Sequence, residues 1–146
     1  MHVHTTNTSN LPVEALEIEY PLLLTRYELV EDSGGVGRYR GGMGLRRVYQ
    51  ATHDCRVRVD ITRQRSQSWG LFGGGPGAHG KVEPGPGVVF EGDSAVLKTG
   101  QWFAVVTPGA GGFGPPQQRD PAAAARDLKE GAISRATARD IYGLSR

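Results

Sequence analysis

The sequence predicts a mainly β fold, a distorted β-sandwich or a barrel-like arrangement of sheets joined by glycine-rich loops and ending in two short helices. Three observations carry this. Apolar and polar residues alternate with period two over residues 22–30 and 55–62, as half-buried strands require. The 146 residues include 22 Gly and 9 Pro, concentrated in runs such as WGLFGGGPGAHG (69–80) and TPGAGGFGPP (107–116). Beyond Pro116 the composition turns alanine-rich, which favours helix.

Along the chain, residues 1–20 read as an irregular arm. Asn10, as a cap, and Pro12 start one short helical turn through Leu16, and Pro21 stops regular structure. In the first strand, Leu23, Thr25, Tyr27 and Leu29 fall on one face and Leu24, Arg26 and Glu28 on the other. DSGG (32–35) turns the chain. A second strand, 45–51, alternates Leu45, Arg47 and Tyr49 with Arg46, Val48 and Gln50. In the third, Cys55, Val57, Val59 and Ile61 oppose Arg56, Arg58, Asp60 and Thr62, so one face is packed and one charged. Short strands are expected over 88–90, 95–98 and 101–106. Asp120 caps a helix with Pro121 at its first position and Gly131 as its stop, and Ser134 caps a second helix that runs to Tyr142. The organisation is therefore a β-rich body over residues 1–116 and a helical docking tail over 117–146.

The glycine runs read as ordered, packed turns, because flexible linkers lack aromatics and these carry Trp69, Phe72 and Phe113. Trp69, Leu71, Phe72, Trp102 and Phe113 are the candidate anchors of a protein interface. A hydrophobic content of 38% is low for a self-sufficient unit and points to a subunit that leans on a neighbour.

A net charge of +2 is too weak to imply a nucleic-acid partner. The basic residues are unevenly placed, with Arg38, Arg40, Arg46, Arg47, Arg56, Arg58, Arg63 and Arg65 in one stretch. They read first as a solvated or interface face and second as an anion site, in which Arg38, Arg40 and Arg65 would hold bicarbonate or a phosphorylated intermediate through bidentate guanidinium geometry. The single cysteine, Cys55, makes no internal disulfide, and no apolar run approaches the roughly 20 residues that cross a bilayer. With no signal peptide evident at residues 1–10, a cytoplasmic location without membrane contact is expected.

No motif encodes a self-contained active site. GGVGRYRGG (34–42) is neither a dinucleotide fingerprint nor a Walker sequence, since a strand rather than a helix follows. His2 and His4, and His53 with Cys55, have two-residue spacings that supply too few metal ligands unless the pairs meet in space. Cys55 on an apolar stripe reads as core, and His79 lies in a glycine turn.

Four collinear segments carry a family resemblance: HVHTTNTSNLPVEALEIEYPLLLTRYEL, DSGGVGRYRGGMGLRRVY, WGLFGGGPGAHG and TPGAGGFGPPQQRDPAAAARDLKEGAISRATARDIYG. In this order they resemble the C-terminal part of hydantoinase B (N-methylhydantoinase B and 5-oxoprolinase) subunits. Where that family commonly has TPGGGGYGDP, this chain has Ala110, Phe113 and Pro115, which removes a hydroxyl and a carboxylate and favours packing over chemistry there. A small chain of this kind looks like the separate small subunit of acetophenone carboxylase. The resemblance implies an accessory subunit, inactive alone, of an ATP-dependent complex that carboxylates an aromatic ketone with bicarbonate to a 3-oxo acid. It implies obligate association with hydantoinase-A-like ATP-binding subunits and a larger hydantoinase-B-like subunit, with ATP and Mg²⁺ or Mn²⁺ bound by those subunits and no cofactor in this chain. The alternative it leaves open is a split ATP-dependent hydantoinase or oxoprolinase that hydrolyses a cyclic amide.

Overall fold

Pro12 and Pro21 bracket the first helix, α1 (Val13–Glu19), in a computed structural model that describes residues 11–144. After it come β1 (Leu22–Leu29), β2 (Leu45–Ala51), β3 (Cys55–Arg58), β4 (Lys81–Pro84), β5 (Ser94–Leu97), β6 (Trp102–Val106), a 3₁₀ turn (Pro116–Gln118), α2 (Pro121–Lys129) and α3 (Arg135–Asp140). One antiparallel sheet has the order β1-β2-β6-β4, and β3 pairs with β5 in a second. The fold is thus mainly β, and no barrel closes among the described residues.

The core lies between the sheets. Ala51 and Phe103 of the large sheet meet Val57, Ala95 and Leu97 of the small one, with Val88 closing the end. Tyr49 stacks on Phe103 at 5.4 Å between centroids, and Phe90 meets the same ring edge-on at 5.9 Å. Arg56 and Arg58, on the opposite face of β3, are exposed, as the alternation of that strand predicts.

The first strand departs from strict alternation. A bulge between Leu24 and Arg26 leaves Thr25 without a partner in the ladder, and its hydroxyl donates to the Val48 carbonyl at 3.3 Å. The extra residue shifts the period, so Leu22 and Leu24 share the inner face with Tyr27 and Leu29 while Leu23 falls on the other side. The third strand ends at Arg58 rather than at residue 62. No strand forms over 88–90, where Val88 turns back to donate to Gly85 O; β4, unmarked by any apolar alternation, forms instead. Its sequence is KVEP, a short edge strand that a terminal proline can end without breaking an inner ladder. In the arm, Asn10 lies outside the described residues, Pro12 occupies the cap position of α1, and that helix extends past Leu16 to Glu19.

Three glycine-rich segments, 33–42, 69–78 and 107–114, run together as a layer of touching backbones. Gly35 N donates to Ala110 O at 2.8 Å, Gly75 N to Val36 O at 2.7 Å, and Gly112 N to Gly75 O at 2.9 Å, while Tyr39 and Phe113 exchange both backbone bonds at 2.9 Å. A Cβ at Gly35 would strike the Gly75 carbonyl and lie 2.6 Å from Gly112 N, so close approach dictates glycine there.

The tail begins as its caps predict. Asp120 Oδ1 accepts from Ala122 N at 3.1 Å, and Ser134 Oγ accepts from Thr137 N at 3.1 Å. It packs on the chain itself. Ser134 N donates to Asp32 Oδ1 at 2.9 Å, Gly37 N donates to the Tyr142 hydroxyl at 3.3 Å, and Ala132, Ile133 and Ala138 are buried.

Candidate functional site

The outer surface of the glycine layer carries an exposed aromatic cluster. A turn closed by Gly74 N donating to Leu71 O at 3.0 Å holds Phe72 at its tip, with φ at 50°. Leu71 N donates to Gly112 O and Gly114 N to Leu71 O, both at 2.9 Å, which fixes this turn beside Phe113. The Phe72 and Phe113 rings then lie 5.1 Å apart, Tyr39 lies 6.2 Å from Phe113, and the Arg38 guanidinium sits 5.5 Å from the Tyr39 ring centre. Trp69 is 74% and Phe72 77% exposed, although neither ring has polar atoms enough to favour water. Phe72, Phe113 and Tyr39 thus form an exposed aromatic cluster on hydrogen-bonded glycine backbones, with Trp69 exposed on the same layer.

Four of the five anchors named from sequence, Trp69, Leu71, Phe72 and Phe113, therefore belong to one layer. Trp102 lies apart. Its ring packs against Gly85, where a Cβ would come within 2.9 Å, and it lines a cavity of about 400 Å³ with Thr25, Arg46 and Val48 on the outer face of the large sheet.

The three arginines named from sequence are not brought together. Arg40 is turned inward, with Nε 3.3 Å from Asp127 Oδ2 and Nη1 2.9 Å from Gly41 O. Arg38 is exposed at the edge of the aromatic cluster. Arg65 is exposed and lines a separate cavity of about 770 Å³ with Arg63, Gln64, Lys81 and Asp93. Burial, and then the negative charge of Asp54, push the Cys55 thiol above its ordinary range, the reverse of an activated nucleophile. His53 Nδ1 lies 3.2 Å from Thr52 Oγ1. His2 and His4 lie outside the described residues, and among those residues no group of three His, Cys, Asp or Glu side chains could hold a metal.

Sequence reasoning missed Arg119 and Asp127. Asp127 carried a signal: it follows Ala124 by three positions on α2, so it shares the buried helix face, where a carboxylate demands cations.

The profile of the family described as hydantoinase B/oxoprolinase matches residues 1–116. This chain belongs to the hydantoinase B/oxoprolinase family. An uncharacterized protein of Methanocaldococcus jannaschii is 39% identical over 129 residues, covering 86% of this chain and 23% of the relative. The crystal structure of the ATP-dependent caprolactamase from Pseudomonas jessenii superposes with a TM-score of 0.67 at 28% identity, over 92% of this chain and 25% of that one. The nucleotide-free structure of acetone carboxylase superposes with a TM-score of 0.72 at 20% identity, over 95% of this chain and 24% of that one, and shares the fold. This hydantoinase-B-family chain thus spans about a quarter of the length of these relatives. Among the described residues, no helix is long and apolar enough to cross a membrane.

Proposed function

We propose that this chain is an accessory subunit of an ATP-dependent carboxylase complex acting on an aromatic ketone and bicarbonate, and that it supplies one quarter of a hydantoinase-B-like body. The observation that carries the reading is the exposed aromatic cluster on the glycine layer of a chain that belongs to the hydantoinase B/oxoprolinase family. A body divided between polypeptides leaves complementary apolar faces, and Trp69, Leu71, Phe72 and Phe113 form such a face. The remainder of the body comes from a larger hydantoinase-B-like polypeptide. Hydantoinase-A-like subunits bind ATP with Mg²⁺ or Mn²⁺, and the complex works in the cytoplasm. Arg38 and Arg65, exposed and without carboxylate partners among the described residues, remain available to an anion, whereas Arg40 holds Asp127.

A second reading is ATP-dependent opening of a cyclic amide, which the 28% identity to a caprolactamase favours. Co-purification of a tagged chain with its partners, followed by assay of the complex with ATP, separates the two. Bicarbonate-dependent consumption of acetophenone supports the carboxylase. Bicarbonate-independent hydrolysis of a hydantoin, 5-oxoproline or caprolactam supports the alternative, and turnover by the chain alone overturns both.

A further inference from the structure

Arg47 is a cation in the wrong place for a purely structural residue. It projects from β2 on the inner face of the large sheet, in the register row of Tyr27 and Val105. Its neighbours are neutral: the guanidinium lies 4.7 Å from the Tyr27 ring centre, and Nη2 donates to the Tyr27 hydroxyl at 3.0 Å. Nε is buried and meets no acceptor. No ion pair to Arg47 forms among the described residues, and residues 1–10 contain no Asp or Glu. Burial opposes its charge, and the Tyr49 and Tyr27 hydroxyls together raise its pKa above the ordinary arginine value, so the cation persists. This half-buried cation keeps Nε without an acceptor and has no counter-ion among the described residues, so it offers an entering anion a charge and a donor that no carboxylate already holds.

The space for that anion is present. Where the inner face leaves the core and meets the glycine layer, Arg47 lines a cleft of about 700 Å³. Its walls are largely apolar, from Met43, Leu45, Tyr49, Ile61, Val105 and Pro108. Thr107 also lines it. Its Oγ1 accepts from Leu45 N at 2.8 Å, which leaves its O–H to donate. Apolar walls with a few convergent polar groups are the usual build of a small-ligand site. Asp60, exposed on the wall, is the other charged group of the cleft, so its walls sum to roughly zero charge. That balance suits a monoanion and disfavours a phosphate dianion.

We propose that this cleft is a carboxylate site in which Arg47 and the Thr107 hydroxyl bind the carboxylate and the apolar walls bind the hydrocarbon group that carries it. The carboxylate belongs either to a small apolar organic acid or to an acidic side chain of the remaining body, and this second source alone rests on the function proposed above. The test uses the chain in complex with its larger partner, and the chain by itself if no partner copurifies, so failure of the assembly reading leaves this one measurable. Hexanoate is titrated calorimetrically into wild type and Arg47→Met, with hexanol and inorganic phosphate as controls. A small-acid site gives hexanoate binding that Arg47→Met weakens about tenfold or more, with hexanol and phosphate weaker than hexanoate by a similar factor. A partner carboxylate gives no hexanoate binding to the complex but a dissociation constant for assembly raised about tenfold or more by Arg47→Met. If a folded Arg47→Met changes neither quantity, the proposal is overturned. Should Arg47→Met not fold, Arg47→Lys decides: it keeps the charge and loses the planar fork, and unchanged hexanoate affinity and unchanged assembly both count as refutation.

Discussion

Asp127 on α2 accepts from Arg40, 87 positions earlier, with Nε 3.3 Å from Oδ2, and the same oxygen accepts from Arg119. One carboxylate thus holds two guanidinium groups. The Asp127 and Arg119 side chains are each only 10% exposed. Arg119 also donates to Arg38 O at 3.2 Å and lies 5.6 Å from the Tyr142 ring centre, so a single triad ties the glycine layer, the 3₁₀ turn, α2 and the residues that follow α3.

Replacing Asp127, the buried member, with Ala leaves two half-buried cations facing each other. Loss of one member of a buried ion pair typically costs about 3–5 kcal/mol. Urea unfolding of Asp127→Ala is expected to show a loss of that size, and limited proteolysis should cut first between residues 119 and 135. A loss below about 1 kcal/mol would place the triad among exposed pairs of little worth.

The glycine layer makes a second prediction through contrast. At Gly35 a Cβ would collide with backbone atoms of two other segments, which cannot move without breaking the hydrogen bonds that join them. At Gly92 nothing lies within 4 Å, and the cost arises only from its φ of 66°. Gly35→Ala should therefore destabilise by about 3 kcal/mol or more, against roughly 1 kcal/mol for Gly92→Ala. Equal thermal shifts for the two variants would show that the layer is not packed as described.

Acid should weaken the protein through the outer face of the large sheet. Arg46 on β2 reaches across β6 to Glu83 on β4 at 2.8 Å, over Ala104 and Val106 in the register between them, and it also pairs with Glu28 at 3.0 Å. The Lys81 hydrogen bond first, and then Arg46, hold the Glu83 carboxyl below its ordinary 4.5 against burial, which pushes it up. A carboxyl depressed by folding contributes stability that is fully present above the unfolded value and is lost as pH falls through the folded one. Wild type should exceed Glu83→Gln by about 0.5–1 kcal/mol at pH 7 in low salt, and the gap should close as pH drops below 4.5. A gap that stays constant in chemical denaturation down to pH 3 would remove ionisation as its cause.

Much of this was legible in the sequence where local chemistry decides. The strand at 45–51 and the caps Asp120 and Ser134 fall where their residues say, because alternation and capping are local. The Thr25 bulge was hidden: LLLTRYEL fits two registers equally, and only pairing with β2 chooses between them. The aromatic residues of the site were visible as a class, whereas their division, with Trp102 on another face, depends on how the three glycine segments cross. Arg40 looked like its neighbour Arg38 until α2 supplied Asp127.

Phe72 offers the sharpest test of the interface. Its positive φ and the Leu71–Gly74 turn hold the ring outward, and among the described residues its one ring contact is Phe113 at 5.1 Å, so little of the fold depends on it. Phe72→Asp should leave the circular dichroism spectrum and thermal midpoint of the chain nearly unchanged. The buried aromatic anchors of interfaces typically cost more than about 2 kcal/mol when removed, which raises a dissociation constant about thirtyfold. Association of Phe72→Asp with the larger hydantoinase-B-like polypeptide proposed above as the partner, read by surface plasmon resonance or analytical ultracentrifugation, should weaken by at least that factor. Val96→Asp on the exposed face of β5 serves as the control, because Val96 is 55% exposed but belongs to the small sheet and not to the glycine layer. If Val96→Asp disrupts assembly while Phe72→Asp does not, the partner docks on the small sheet and the aromatic cluster has another use.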